Sequence, residues 1–143
     1  MVIDSGEREG RMRRFVDEWW NRLSPRGVSW VGFYLDSPGA PDEERLVLGP
    51  CRDKPACSPI GLHGACGTCL QSAQPLIVSD VADLGPCYIA CDPRDRSELV
   101  LPCRVAGRCW GVLDLDSHEV AAFSQADADL LTAALRSAGL DCP

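Results

Sequence analysis

The sequence contains no apolar run near the roughly 18 residues that a bilayer span requires. It also lacks positive charge: 14 Lys and Arg stand against 21 Asp and Glu, a net charge of -7. That balance argues against nucleic acid as a partner, because such binding rests on Lys and Arg at phosphates. Only two histidines are present. The stretch "MVIDSGEREGRMRR" has no apolar h-region, so the expected compartment is the cytoplasm. Internal repeats and low-complexity tracts are absent, and 143 residues fit one domain with a single core. The expected layout is an N-terminal helix within 1–24 and a sheet core with a C-terminal helix over 28–139.

What the chain does have is cysteine, nine of them. Without a secretory signal, a structural disulfide framework is not expected, and an odd count leaves one thiol over in any full pairing. Some of the nine are ordinary small core residues. For the others the spacing leaves two chemistries open. "CGTC" (66–69) and "CYIAC" (87–91) place Cys66, Cys69, Cys87 and Cys91 in a zinc-like pattern. The same residues suit a redox enzyme, in which a thiolate becomes a sulfenic acid that a second cysteine resolves to a disulfide. Cys66 sits near the predicted start of a short helix, where backbone N–H groups favour a thiolate. Cys57, Cys66 and Cys91 all lie in irregular segments that converge over one end of the predicted sheet.

Residues 4–23 are predicted helical from the spacing of Met12, Phe15, Val16, Trp19 and Leu23, with Asp4 as N-cap and Glu7 three residues on. Residues 28–35 and 45–49 read as an antiparallel hairpin joined by a turn rich in Pro, Gly and acid. Residues 50–63 are expected to be irregular, with a short helix from about Gly64, a strand over 74–80 and a long loop over 81–97. Strands over 98–105 and 108–117 meet at Ala106–Gly107. The last helix spans 124–139, capped by Ser124 and Asp127 and stopped at Gly139. This order predicts an α+β fold, a central antiparallel sheet with helices packed on one side.

Strand alternation places Trp30 and Tyr34 on one face of their strand, and Val31, Phe33 and Leu35 on the other. It likewise separates Asp114 and Asp116 from Leu113 and Leu115. A half-exposed antiparallel strand often carries such a polar face toward water. Yet Asp is depleted in strands, and two at i and i+2 lie only about 7 Å apart and repel. A ligand amine or a shared proton would relieve that repulsion, and the aromatic pair would complete a cup for a small amphipathic molecule.

Seven stretches occur in one order: "WVGFY" (30–34), "LVLGP" (46–50), "KPAC" (54–57), "CGT" (66–68), "IACD" (89–92), "SELVLP" (97–102) and "GVLDLDS" (111–117). On these the chain resembles the GAF-type free methionine-(R)-sulfoxide reductases over about residues 28–131. The resemblance implies a GAF fold with long loops over the active site, usually in a homodimer. It implies reduction of the R epimer of free methionine sulfoxide, with no cofactor and with thioredoxin as electron donor. Carried over by motif, Cys91 is the nucleophile, and Cys66 and Cys57 resolve and relay the disulfide. Trp30, Tyr34, Glu98, Asp114 and Asp116 form the substrate pocket. The family pattern before "IACD" carries histidines that this chain lacks, with Ala82 and Tyr88 at or near their positions. Cys51, Cys69, Cys87, Cys103 and Cys109 fall outside the pattern, and Cys87 is close enough in sequence to Cys91 to compete as a resolving thiol. His63 is expected to be exposed and His118 to be a turn residue. GAF folds host many functions, so a non-catalytic small-molecule or redox sensor and a zinc module are the alternatives.

Overall fold

A computed structural model describes residues 4–88 and 91–143. Ile89 and Ala90 of the "IACD" motif, and the side chain of Cys87, fall outside the described residues. The expected competition between Cys87 and Cys91 therefore lies outside them as well.

Helix α1 (Ser5–Leu23) begins where expected: Asp4 Oδ1 accepts from the Glu7 N–H at 2.8 Å. It ends at a Ser-Pro-Arg turn closed by Gly27, whose φ of 103° suits glycine. Strands β1 (Val28–Asp36) and β2 (Leu46–Arg52) form the first hairpin. Helix α2 (Ala65–Ser72) and the short strand β3 (Leu76–Val78) follow, then a run of tight turns over Val81–Cys87. Strands β4 (Ser97–Val105) and β5 (Arg108–Ser117) form the second hairpin, and α3 (Gln125–Ser137) closes the chain. The Ser124–Asp127 capping box forms as read from the sequence.

The five strands make one antiparallel sheet in the order β2-β1-β5-β4-β3. Each face buries its own apolar cluster. On one face α1 and α3 cover Val31, Phe33, Leu99, Leu101, Leu113 and Leu115. The other face carries Trp30, Tyr34, Val100 and Val112 beneath α2 and the segment around Ile60. Helices thus lie on both faces. The N- and C-terminal pair matches the expected layer, and α2 with the long loops roofs the opposite face rather than one end. Two main-chain bonds between Leu46 and Ile60 (3.0 and 2.8 Å) tie that roof to the sheet edge.

Two strand limits differ from those expected. β2 runs through Pro50 to Arg52 instead of stopping at Gly49, because it is an edge strand and its proline needs no ladder donor on the open side. β3 is three residues long, Leu76–Val78, rather than the seven of 74–80.

Candidate active site

Sheet register assembles the centre of the site. Trp30 on β1 pairs with Asp116 on β5, which pairs with Glu98 on β4. One step along, Gly32 pairs with Asp114, which pairs with Val100. The Trp30 and Tyr34 rings stand 6.0 Å apart on the same face. Between them Gly32 offers no side chain, and a Cβ there would overlap the Trp30 indole and lie 2.7 Å from Cys51 Cβ. The glycine is what lets the indole lie flat over its own strand.

Both aromatics also hold the roof. Trp30 Nε1 donates to the Lys54 carbonyl and Tyr34 Oη to the Cys57 carbonyl, each at 2.8 Å. The segment carrying Cys57 is therefore pinned to the floor by the residues expected to line the pocket. Helix α2 packs so closely that a Cβ on Gly67 would overlap the Leu62 backbone, which explains the glycine of "CGT".

Cys57 and Cys91 are joined in a disulfide with Cα atoms 5.6 Å apart. Cys66 is free and buried. A cavity of about 30 Å³ is lined by Trp30, Tyr34, Cys66, Cys91, Glu98, Asp114 and Asp116, with Tyr88 and Asp95 beside them. All the site residues expected from sequence are thus brought to one place, with Cys57 attached through the disulfide. Beside this cavity lies an outer cleft of about 330 Å³, which shares Trp30, Ala56, Cys91, Asp95 and Asp116 with it and is bordered by Lys54 and Arg94.

The carboxyl groups are crowded; Glu98 and Asp114 are buried and Asp116 is half-buried. Burial first, then Asp116 and Glu98, push Asp114 well above the usual carboxylate range. Burial and then Glu98 do the same to Asp116, and burial raises Glu98, which is hydrogen-bonded to Asp114. Asp114 Oδ1 is buried without a hydrogen-bond partner among the described residues. Cys66, Glu98 and Asp114 present atoms within 4.8 Å of one another. Such a set of acceptors suits a cation, and a ligand ammonium would satisfy the orphan oxygen.

Two readings are corrected here. The helix start was expected to favour a Cys66 thiolate. Instead burial, followed by Asp114 and Glu98, pushes that thiol well above its ordinary range. Cys91 is bonded to Cys57, so it offers no thiolate to the zinc-like pattern. His118 follows β5 in a bend, as expected, and its Nε2 lies 3.1 Å from Asp92 Oδ2 and 3.8 Å from Asp95 Oδ1. His63 is exposed, as expected.

Asp95 and His118 escaped sequence reasoning. The available signal was position alone: Asp95 lies between Cys91 and Glu98, and His118 is two residues past Asp116. Arg94 donates to Asp92 from its backbone N–H (3.0 Å) and its guanidinium (3.0 and 3.1 Å), and holds that carboxyl far below its usual range. Asp95 is driven the other way, up to about 7, chiefly by burial and then by Asp92 and Glu98. Burial, then Glu98 and Asp116, keep the Tyr88 phenol protonated.

The GAF domain family matches residues 26–141. Protein YtsP of Bacillus subtilis is 41% identical over 107 residues, which are 73% of this chain and 63% of that protein. The free methionine-R-sulfoxide reductase of Saccharomyces cerevisiae is 37% identical over 106 residues, 73% of this chain and 57% of the relative. The chain thus spans about three fifths of the length of the curated relatives it matches. Among solved structures, free methionine-R-sulfoxide reductase from Neisseria meningitidis, in complex with its substrate, superposes with a TM-score of 0.81 and 32% identity, covering 92% of this chain and 75% of that one.

Proposed function

The chain belongs to the GAF-domain family, and from that premise we propose that it reduces free L-methionine-(R)-sulfoxide to methionine through Cys91. The single observation that carries this is the meeting of the Cys57–Cys91 disulfide with Trp30, Tyr34 and the Glu98–Asp114–Asp116 carboxyls around one cavity. Relatives that bear the reductase name support this reading: one is 37% identical over 106 residues, and the solved structure of another superposes with a TM-score of 0.81.

The chemistry of the site fits this substrate, a zwitterion with a polar S–O group and an apolar stem. Its ammonium relieves the repulsion between Asp114 and Asp116 and gives Asp114 Oδ1 a partner. Trp30 and Tyr34 cover the methyl and methylene groups. Backbone N–H groups of the roof take the carboxylate. A carboxyl that keeps its proton hydrogen-bonds the sulfoxide oxygen and polarises the S–O bond. Cys91 is oxidised to a sulfenic acid, methionine leaves, and Cys57 attacks the sulfenic sulfur to expel water and close the disulfide. Cys66 lies at the same cavity as a protonated thiol and, once deprotonated, exchanges with that disulfide. Thioredoxin then reduces the pair. The protein acts in the cytoplasm as a homodimer and needs no cofactor. No described helix is long and apolar enough to cross a membrane.

The test is methionine release from each epimer with a dithiol reductant, beside the Cys91→Ser variant. Release from the R epimer alone, lost in Cys91→Ser, is expected. Turnover surviving in that variant, or preference for the S epimer, overturns the reading. A sensor without catalysis would instead change its disulfide state with oxidant and release no methionine.

A further inference from the structure

Outside the pocket expected from sequence, one group of side chains joins the site to solvent. It is the cluster of Asp92, Asp95 and His118, whose acceptor and imidazole atoms lie within 4.8 Å of one another. Asp95 is 7% exposed and borders both the inner cavity and the outer cleft, on the same loop as Cys91. The His118 side chain is 38% exposed, and its Nε2 sits 3.8 Å from Asp95 Oδ1, one water or one small rotation from a hydrogen bond. Asp92, fixed by Arg94, holds the same imidazole nitrogen at 3.1 Å. The loop is closed on itself by the Asp95 N–H donating to the Asp92 carbonyl at 3.1 Å.

We propose that Asp95 is the proton-transfer group for Cys91, and that His118 is the positioning residue that links it to bulk solvent. This rests on the reduction proposed above. The Cys91 S–H proton passes to the Asp95 carboxylate as the thiolate forms. The sulfoxide oxygen moves from the substrate sulfur to the Cys91 sulfur and receives the proton back from Asp95. One S–O bond breaks and one forms; methionine leaves reduced by two electrons and Cys91 is left as the sulfenic acid. Cys57 then supplies the second thiol, the disulfide forms and water leaves, so two thiols and one sulfoxide give one disulfide, one sulfide and one water.

The inner carboxyls are less suited to this shuttle. Asp114 is tied to Glu98 by a hydrogen bond and, with Asp116, faces the place taken by the ligand ammonium. Burial, then Asp92 and Glu98, raise Asp95 to about 7, near the operating pH that general acid–base catalysis favours. The groups that face it come from every neighbouring element. Asp92 and Arg94 are on its own loop, Glu98 is on β4, Asp116 is on β5, His118 follows β5, and Tyr88 precedes Cys91. Asp92 and Glu98 raise it, while His118 and Arg94 lower it.

The test compares wild type, Asp95→Asn, Asp95→Glu and His118→Gln. Two quantities are read against pH: the single-turnover rate of methionine formation, and the rate at which iodoacetamide alkylates Cys91 in the reduced protein without substrate. Wild type is expected to speed up from pH 6 to 8. Asp95→Asn should lose about 100-fold in rate and lose that limb, with KM within about threefold. Asp95→Glu should recover part of the rate and the limb. His118→Gln should displace the limb and lower the rate about tenfold. Asp95→Asn and His118→Gln should each displace the alkylation profile by at least about half a pH unit. Unchanged alkylation and turnover profiles in Asp95→Asn and His118→Gln overturn the assignment. Wild type that forms no methionine, while the variants still displace the alkylation profile, overturns the reductase reading and supports the coupling of Asp95 to Cys91.

Discussion

Trp30 and Tyr34 each have two tasks, and Gly32 permits both. Their rings floor the cavity, and their polar atoms anchor the backbone at Lys54 and Cys57. A methyl at Gly32 meets the indole and Cys51 at once, so Gly32→Ala should tilt Trp30 and free the Lys54 carbonyl. The expected result is an increase in KM for the sulfoxide of about tenfold or more, since small misplacements in a positioned site cost one to two orders of magnitude. Steady-state kinetics with and without the substitution check this, and an unchanged KM contradicts it. At this scale much of the site was legible. Strand alternation put Trp30 with Tyr34 on β1 and Asp114 with Asp116 on β5, because period two fixes the face within each strand; the register of β1 against β5 sets the two pairs on one face. Cys66 was misjudged because the helix start was weighed without the burial and the three carboxyl groups, Asp114, Glu98 and Asp116, that oppose it. Asp95 and His118 gave no warning, since a loop carboxylate and a turn histidine acquire meaning only through contacts across 23 residues of chain.

At the scale of elements, the sheet is pinned at its far end by Asp141. This buried carboxylate accepts from the Arg104 backbone N–H at 3.0 Å and from its guanidinium at 2.9 Å twice, and from Arg136 at 3.3 Å. It fastens the tail after α3 to β4, where Cys142 N–H also donates to the Arg104 carbonyl at 2.7 Å. Asp141→Ala should cost about 2 kcal/mol, because it strands a half-buried guanidinium and a backbone donor. Urea unfolding reads the loss, and a change below about 0.5 kcal/mol contradicts the role given to this contact. Periodicity, caps and turn residues located the long elements α1, β1, β4, β5 and α3 nearly to the residue. They failed at β2 and β3, the two edge strands, where pairing with a single neighbour sets the limits rather than propensity. Pro102 illustrates the same physics: it lies in β4 beyond the reach of β3, so its missing N–H leaves no gap in the ladder.

Across the whole molecule, buried acid dictates how the protein responds to pH. Asp95, Glu98, Asp114 and Asp116 all hold protons in the fold that the unfolded chain releases above about pH 4. The folded state therefore binds more protons, and stability falls as pH rises from about 4 through the Asp95 value of about 7. Asp92 acts in the opposite sense, and its contribution is lost only as pH falls below the unfolded carboxyl range. The urea midpoint of the ligand-free protein should be higher at pH 5 than at pH 8, and Asp114→Asn should flatten the difference. Equal midpoints, or a higher one at pH 8, contradict this. The closed site makes a further demand. With the disulfide in place the inner cavity of about 30 Å³ has room for about one water. Methionine sulfoxide should therefore bind the reduced protein and show at least about tenfold weaker binding to the oxidised one by calorimetry; equal affinity contradicts closure by the disulfide.

The most direct test of the account is a single turnover of the fully reduced protein with each epimer of free methionine sulfoxide, followed by mass mapping of the cysteines. The predicted result is one methionine per chain from the R epimer, with Cys57 and Cys91 joined and Cys51, Cys66, Cys69, Cys103 and Cys109 still reduced. No methionine, methionine from the S epimer instead, or a first disulfide that leaves Cys91 as a thiol would contradict it.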